Sequence, residues 1–117
     1  MEPPAPTANP LYRFAEVAMR LGMTRKEQAA FLGVSRSSYY RYLKAGKAPL
    51  RVEALADLLP NAYGRLVELF GNEEDVRNWL LFPNLALGRV RPLDLLRSPE
   101  GYEEVIATAE AGVYGIY

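Results

Sequence analysis

At 117 residues, half of them apolar, the chain is long enough for one compact domain or two small ones sharing a core. It holds no Cys and no His, which excludes disulfide frameworks, thiolate nucleophiles, zinc-finger ligands and imidazole bases together, and the remaining side chains form no nucleophile or phosphate-loop motif. No enzyme and no cofactor is therefore expected. Fourteen basic residues balance fourteen acidic ones, yet the charges are segregated: residues 20 to 51 carry eight basic side chains against Glu27 alone, and residues 52 to 117 carry five Arg against eleven acids. A basic region followed by an acidic one predicts nucleic acid on one side and a different partner on the other.

The first ten residues, MEPPAPTANP, hold four prolines and read as an extended arm. They lack the apolar core of a signal peptide, and no later run approaches membrane-spanning length, so a cytoplasmic protein with no membrane partner is expected. A first helix is predicted over residues 10 to 21, with Leu11, Phe14, Ala15, Ala18 and Leu21 as its buried stripe and Gly22 as its stop.

Residues 24 to 44, TRKEQAAFLGVSRSSYYRYLK, are the most informative stretch. Thr24 and Glu27 have the spacing of a capping box, and Ala29, Ala30 and Leu32 supply a small apolar inner face. Gly33 is free to enter the left-handed conformation and turn the chain, Val34 plugs the core, and Ser35 caps a second helix that runs to about Lys44. Two short helices about a Gly-centred turn, the second of them basic, make a helix-turn-helix. Tyr39, Tyr42 and Leu43 share its inward face. Arg36, Ser37, Tyr40, Arg41 and Lys44 then point outward as the DNA-binding face, with Arg36 placed to read a guanine edge and the others suited to phosphate. The alternative is a basic helical surface that contacts protein.

A short basic loop over residues 45 to 49 leads to a helical pattern at residues 50 to 59, an interruption at Pro60 and Asn61, and a resumed helix over residues 62 to 70. Asn72 caps the next helix, whose first turn is Glu73, Glu74 and Asp75 and whose apolar stripe is Val76, Trp79 and Leu80. Phe82 and Pro83 stop it. Asn84 caps a single turn through Leu87, Gly88 reverses the chain, Pro92 opens a short helix, and Ser98, Pro99 and Glu100 start a last helix reaching about Ala111. Trp79, Pro83, Leu87, Pro92, Leu93 and Leu96 read as core. Apolar spacing of three to four throughout predicts an all-α fold.

From Trp79 onward the sequence WLLFPNLALGRVRPLDLLRSPEGYEEV resembles the C-terminal domain of the Xre/MbcA/ParS antitoxin family, which shows a Trp-Leu helix end, Pro-Asn, Ala-Leu-Gly, Pro-Leu-Asp-Leu and a Gly before the final helix. With the upstream helix-turn-helix, the resemblance extends over nearly the whole chain and divides it into an arm at 1 to 10, a DNA-binding domain at 11 to 60 and a toxin-binding domain at 61 to 117. It implies an antitoxin that binds and silences a NAD-consuming RES-domain toxin and represses its own operon, as a homodimer on operator DNA. It further implies that the C-terminal end reaches the toxin's active-site region, so that Gly112, Val113, Tyr114, Gly115, Ile116 and Tyr117 are the toxin-binding residues. Gly112 and Gly115 would let this apolar, aromatic peptide adapt to a cleft. The chain departs from the family pattern at Arg89, where a second glycine is usual, and at Arg91, a poor cap before Pro92. Two other functions are open: a dimeric regulator without a toxin, and a protein-only inhibitor whose helix-turn-helix has lost DNA.

Overall fold

The computed structural model describes residues 9 to 113, the last of them by its backbone alone. Seven α-helices in chain order make up the described part: α1 Pro10–Arg20, α2 Arg25–Phe31, α3 Arg36–Ala45, α4 Leu50–Phe70, α5 Glu73–Leu81, α6 Pro92–Leu95 and α7 Pro99–Val113, with a 3-10 turn at Leu85–Leu87. The only β pairing among the described residues is an isolated antiparallel bridge between Asn84 and Val90. The fold is all-α, as predicted. It divides into two compact units between Pro60 and Asn61.

In the first unit α2 and α3 pack on each other and α1 packs on α3. The predicted stripe of α1 is buried in full: Leu11, Phe14, Ala15, Ala18 and Leu21 all face the core. Asn9 caps α1 by accepting from the Leu11 amide at 2.8 Å, and its side-chain amide donates to the Gly46 carbonyl after α3. In α2 the capping box forms both bonds, Thr24 Oγ1 accepting from the Glu27 amide at 3.1 Å and Glu27 Oε1 accepting from the Thr24 amide at 2.9 Å. The inner face of α2 differs from expectation at one position. Ala30 is exposed, and Gln28 and Phe31 join Ala29 and Leu32 inside. The reason is helical geometry: 28, 31 and 32 share a face, whereas 30 lies between them on the far side.

The predicted interruption at Pro60 and Asn61 does not occur. α4 is continuous from Leu50 to Phe70 with Pro60 inside it. A proline removes one helical hydrogen bond and crowds the carbonyl four residues back, at a cost of about 3 kcal/mol. Here that residue is Ala56, and Val52, Ala56, Leu59, Ala62, Tyr63 and Leu66 are buried along the helix on both sides of the proline. Packing along the whole length therefore outweighs the local penalty.

In the second unit α6 packs against both α5 and α7, and the 3-10 turn packs against α7. Val76, Leu80, Leu87, Leu93, Leu96, Val105 and Ala109 form the core. Pro92 is buried as expected, whereas Pro83 is exposed and Trp79 only half-buried. Pro83 lies after the last turn of α5, where the chain has left the inward-facing register of that helix. α7 continues two residues past the predicted end, to Val113.

Candidate nucleic-acid interface and C-terminal surface

The second helix of the helix-turn-helix, α3, is capped by Ser35, whose hydroxyl accepts from the Ser38 amide at 3.1 Å. Its inward anchor is Tyr39, 1% exposed, which meets Phe14 edge-on at 6.4 Å between ring centroids. The Tyr39 hydroxyl donates to Gln28 Oε1 at 2.7 Å, Arg25 donates to the same oxygen at 2.9 Å, and Gln28 Nε2 donates to the Met23 carbonyl at 2.9 Å. This network fixes α3 against α2, because each buried polar group would cost free energy if its partner moved away. Burial pushes the Tyr39 hydroxyl up to about 12, against a smaller opposing pull from Arg25.

Opposite Tyr39, the side chains of Arg36, Ser37, Tyr40, Arg41 and Lys44 are all exposed, Tyr40 at 70%. Three of them converge: Arg36, Ser37 and Tyr40 line a cleft of about 390 Å³ together with Arg25, Tyr39 and Leu43. Arg41 and Lys44 lie outside that lining. Arg41 instead donates to Ser38 Oγ at 3.1 Å. Two guanidinium groups, the hydroxyls of Ser37 and Tyr40 and the exposed Tyr40 ring around one cleft are the donor set for a phosphate oxygen or a base edge. Within residues 20 to 51 the single acid, Glu27, caps α2, and of the eight basic residues Arg20 pairs with Glu16 at 3.0 Å, so the region keeps a basic excess.

In the second unit the three acids of the first turn of α5 are exposed, and Asn72 caps them by accepting from the Asp75 amide at 2.8 Å. The loop after α5 is closed by Asn84, which accepts at its side chain from the Ala86 amide at 2.8 Å and pairs its backbone amide with the Val90 carbonyl at 3.0 Å. Gly88 and Arg89 both sit at positive φ, 75° and 67°. The turn is thus built as two successive left-handed residues, with Arg89 bearing strain that a second glycine would not. Arg91 makes no cap to α6 and instead pairs with Asp94 at 2.9 Å. α7 approaches α6 so closely at Gly101 that a Cβ there would stand 1.8 Å from the Leu95 carbonyl oxygen.

Residues 10–59 match the family model described as the antitoxin Xre-like helix-turn-helix domain, and residues 65–108 match that of the antitoxin Xre/MbcA/ParS C-terminal toxin-binding domain. The chain belongs to the Xre/MbcA/ParS antitoxin family. Comparison with curated proteins gives no match.

The two matched segments give the antitoxin one domain of a DNA-binding type and one of a toxin-binding type. Of the C-terminal residues singled out from the sequence, Gly112 is exposed and lies within α7 rather than in a free end, and Val113 closes that helix. Tyr114, Gly115, Ile116 and Tyr117 lie outside the described residues. Gln28 and Arg25 were not anticipated as supports of the recognition helix. The signal for Gln28 was present, since it precedes Phe31 and Leu32 by three and four residues and therefore shares their inward face. Among the described residues no cluster of His, Cys, Asp or Glu could hold a metal ion, and no helix is long and apolar enough to cross a membrane.

Proposed function

We propose that the antitoxin binds a NAD-consuming RES-domain toxin, blocks it sterically without catalysis of its own, and represses its own operon as a cytoplasmic homodimer bound to a two-fold operator. The observation that carries this reading is the union, on one chain, of a helix-turn-helix with an exposed basic face and a matched toxin-binding domain. On the DNA side, Arg36 reads a base edge while Ser37, Tyr40, Arg41 and Lys44 hold phosphates. On the toxin side, the segment from Gly112 through Val113, Tyr114, Gly115, Ile116 and Tyr117 fills the cleft where the dinucleotide binds.

The test is co-purification of the antitoxin with the product of the adjacent gene, followed by NAD consumption by that product with and without the antitoxin. A stable complex with suppressed NAD loss supports the reading. An unaffected neighbour reduces the chain to a DNA-binding regulator. Truncation after Val113 leaves α7 whole and should weaken inhibition; full inhibition by the truncated chain would remove the tail from the mechanism. For the operator, Arg36→Ala should cost about 1–3 kcal/mol and relax sequence preference at one position, whereas Arg41→Ala should weaken all sequences alike and lower the salt slope by about one.

A further inference from the structure

The second unit carries an open groove of about 640 Å³ lined by Leu69 and Phe70 from the end of α4, Asp75, Asn78 and Trp79 from α5, and Phe82 just beyond it. Its wall is an aromatic pair, Phe70 and Trp79, edge to face at 5.6 Å between centroids. Phe82 stands 74% exposed at its lip, and Leu85, three residues on, is 78% exposed. Phe82 is the C-cap of α5 and Leu85 opens the 3-10 turn, positions that need no large apolar side chain, and such side chains held in solvent beside an aromatic pair are the composition of a protein-binding hot spot. Of the six lining residues the one that carries charge is Asp75, and Glu74 beside it is exposed as well.

Resting on the toxin-binding reading above, we propose that this groove is a contact for the toxin separate from the C-terminal tail. It receives a segment of the toxin presenting apolar side chains, with a Lys or Arg that meets Asp75. Charge complementarity selects that occupant. Residues 52 to 117 hold eleven acids against five Arg, so a second acidic copy of the same surface is repelled where a basic partner is attracted. The groove also lies wholly within residues 65–108, the segment matched to the toxin-binding domain. Asn78 offers both a donor and an acceptor at the rim for the partner's backbone.

The test is the affinity of purified RES-domain toxin for the full-length antitoxin and its variants at low and high salt, with the mass of each free antitoxin measured in solution. Phe82→Ser should weaken toxin binding about tenfold or more, and its exposure makes it safe for the fold, which Trp79 fluorescence and the melting curve verify. Asp75→Lys should weaken binding several-fold and flatten its salt dependence. Toxin affinity within twofold of the parent for Phe82→Ser overturns the proposal. So does a change in the mass of the free antitoxin with toxin affinity unchanged, which assigns the groove to a second copy. A parent protein that binds no toxin fails the proposed function itself, and the groove proposal falls with it.

Discussion

In residues 9 to 60 Phe14, Phe31 and Tyr39 turn inward, Phe14 tilted against Phe31 and edge-on to Tyr39, while the opposite face of α3 carries Arg36, Tyr40, Arg41 and Lys44 into solvent. In residues 61 to 113 the solvent-facing charges are largely acidic, and Phe82 and Leu85 stand exposed within a few residues of each other. The difference follows the physics of the partners proposed for each. A polyanion is attracted over a Debye length by charge and needs no apolar surface, whereas a protein partner is held by apolar groups that are wet only until it arrives. The supports differ in kind as well: the basic half is fixed by a buried polar network centred on Gln28, the acidic half by close backbone approach at Gly101.

The largest way to break this contrast is Gly101→Ala. A methyl group 1.8 Å from a backbone carbonyl cannot be accommodated by a side-chain shift, so α6 and α7 must separate, at a cost of about 3 kcal/mol. Denaturant unfolding followed by Trp79 fluorescence reads this, and parental stability would show that the approach is not what demands glycine there.

In the basic half the next largest effect is set by pH. The Tyr39 hydroxyl has its pKa raised from 10.0 to about 12, so the unfolded chain loses this proton first; the stability it contributes is whole below pH 10 and is lost as pH rises from 10 through about 12. Solvent screening keeps the loss on the order of 1–2 kcal/mol. Tyr39→Phe should flatten this part of the stability profile, and an unchanged alkaline slope in that variant would assign the loss elsewhere.

Thr24→Ala removes one half of the capping box and should lower stability by about 1 kcal/mol in thermal melts, a smaller effect than either of the first two. The smallest expected change is a gain. Arg89→Gly relieves a positive φ of 67° and should stabilise the acidic half by about 0.5–1 kcal/mol, the relief being partly offset by the greater freedom of glycine in the unfolded chain. A loss of stability in that variant would mean that the Arg89 side chain contributes more than its backbone costs.

The recognition helix was legible because its signals are local. Thr24, Glu27, Gly33 and Ser35 specify caps and a turn within four residues of themselves, and each takes the predicted role. The exposed set on α3 followed from helical periodicity, whose inward members Tyr39, Tyr42 and Leu43 are buried or half-buried. What the sequence did not disclose is that only Arg36, Ser37 and Tyr40 of the five share a cleft, since that depends on how α2 brings Arg25 alongside. Gly112 is expected to let the C-terminal peptide adapt because glycine is conformationally free, yet α7 runs through it.

Local chemistry by itself thus determined the helix starts, the Gly33 turn, the all-α class and the segregation of charge, because caps, periodicity and composition act over a few residues. Only the tertiary structure decided that α4 passes Pro60 unbroken, that Gln28 is shared by Tyr39 and Arg25, that Gly101 rests against the Leu95 carbonyl and that Phe70 and Trp79 wall a groove. Each of these joins residues whose contact depends on how whole helices pack. The free energy of that packing is larger than the local preferences it overrides.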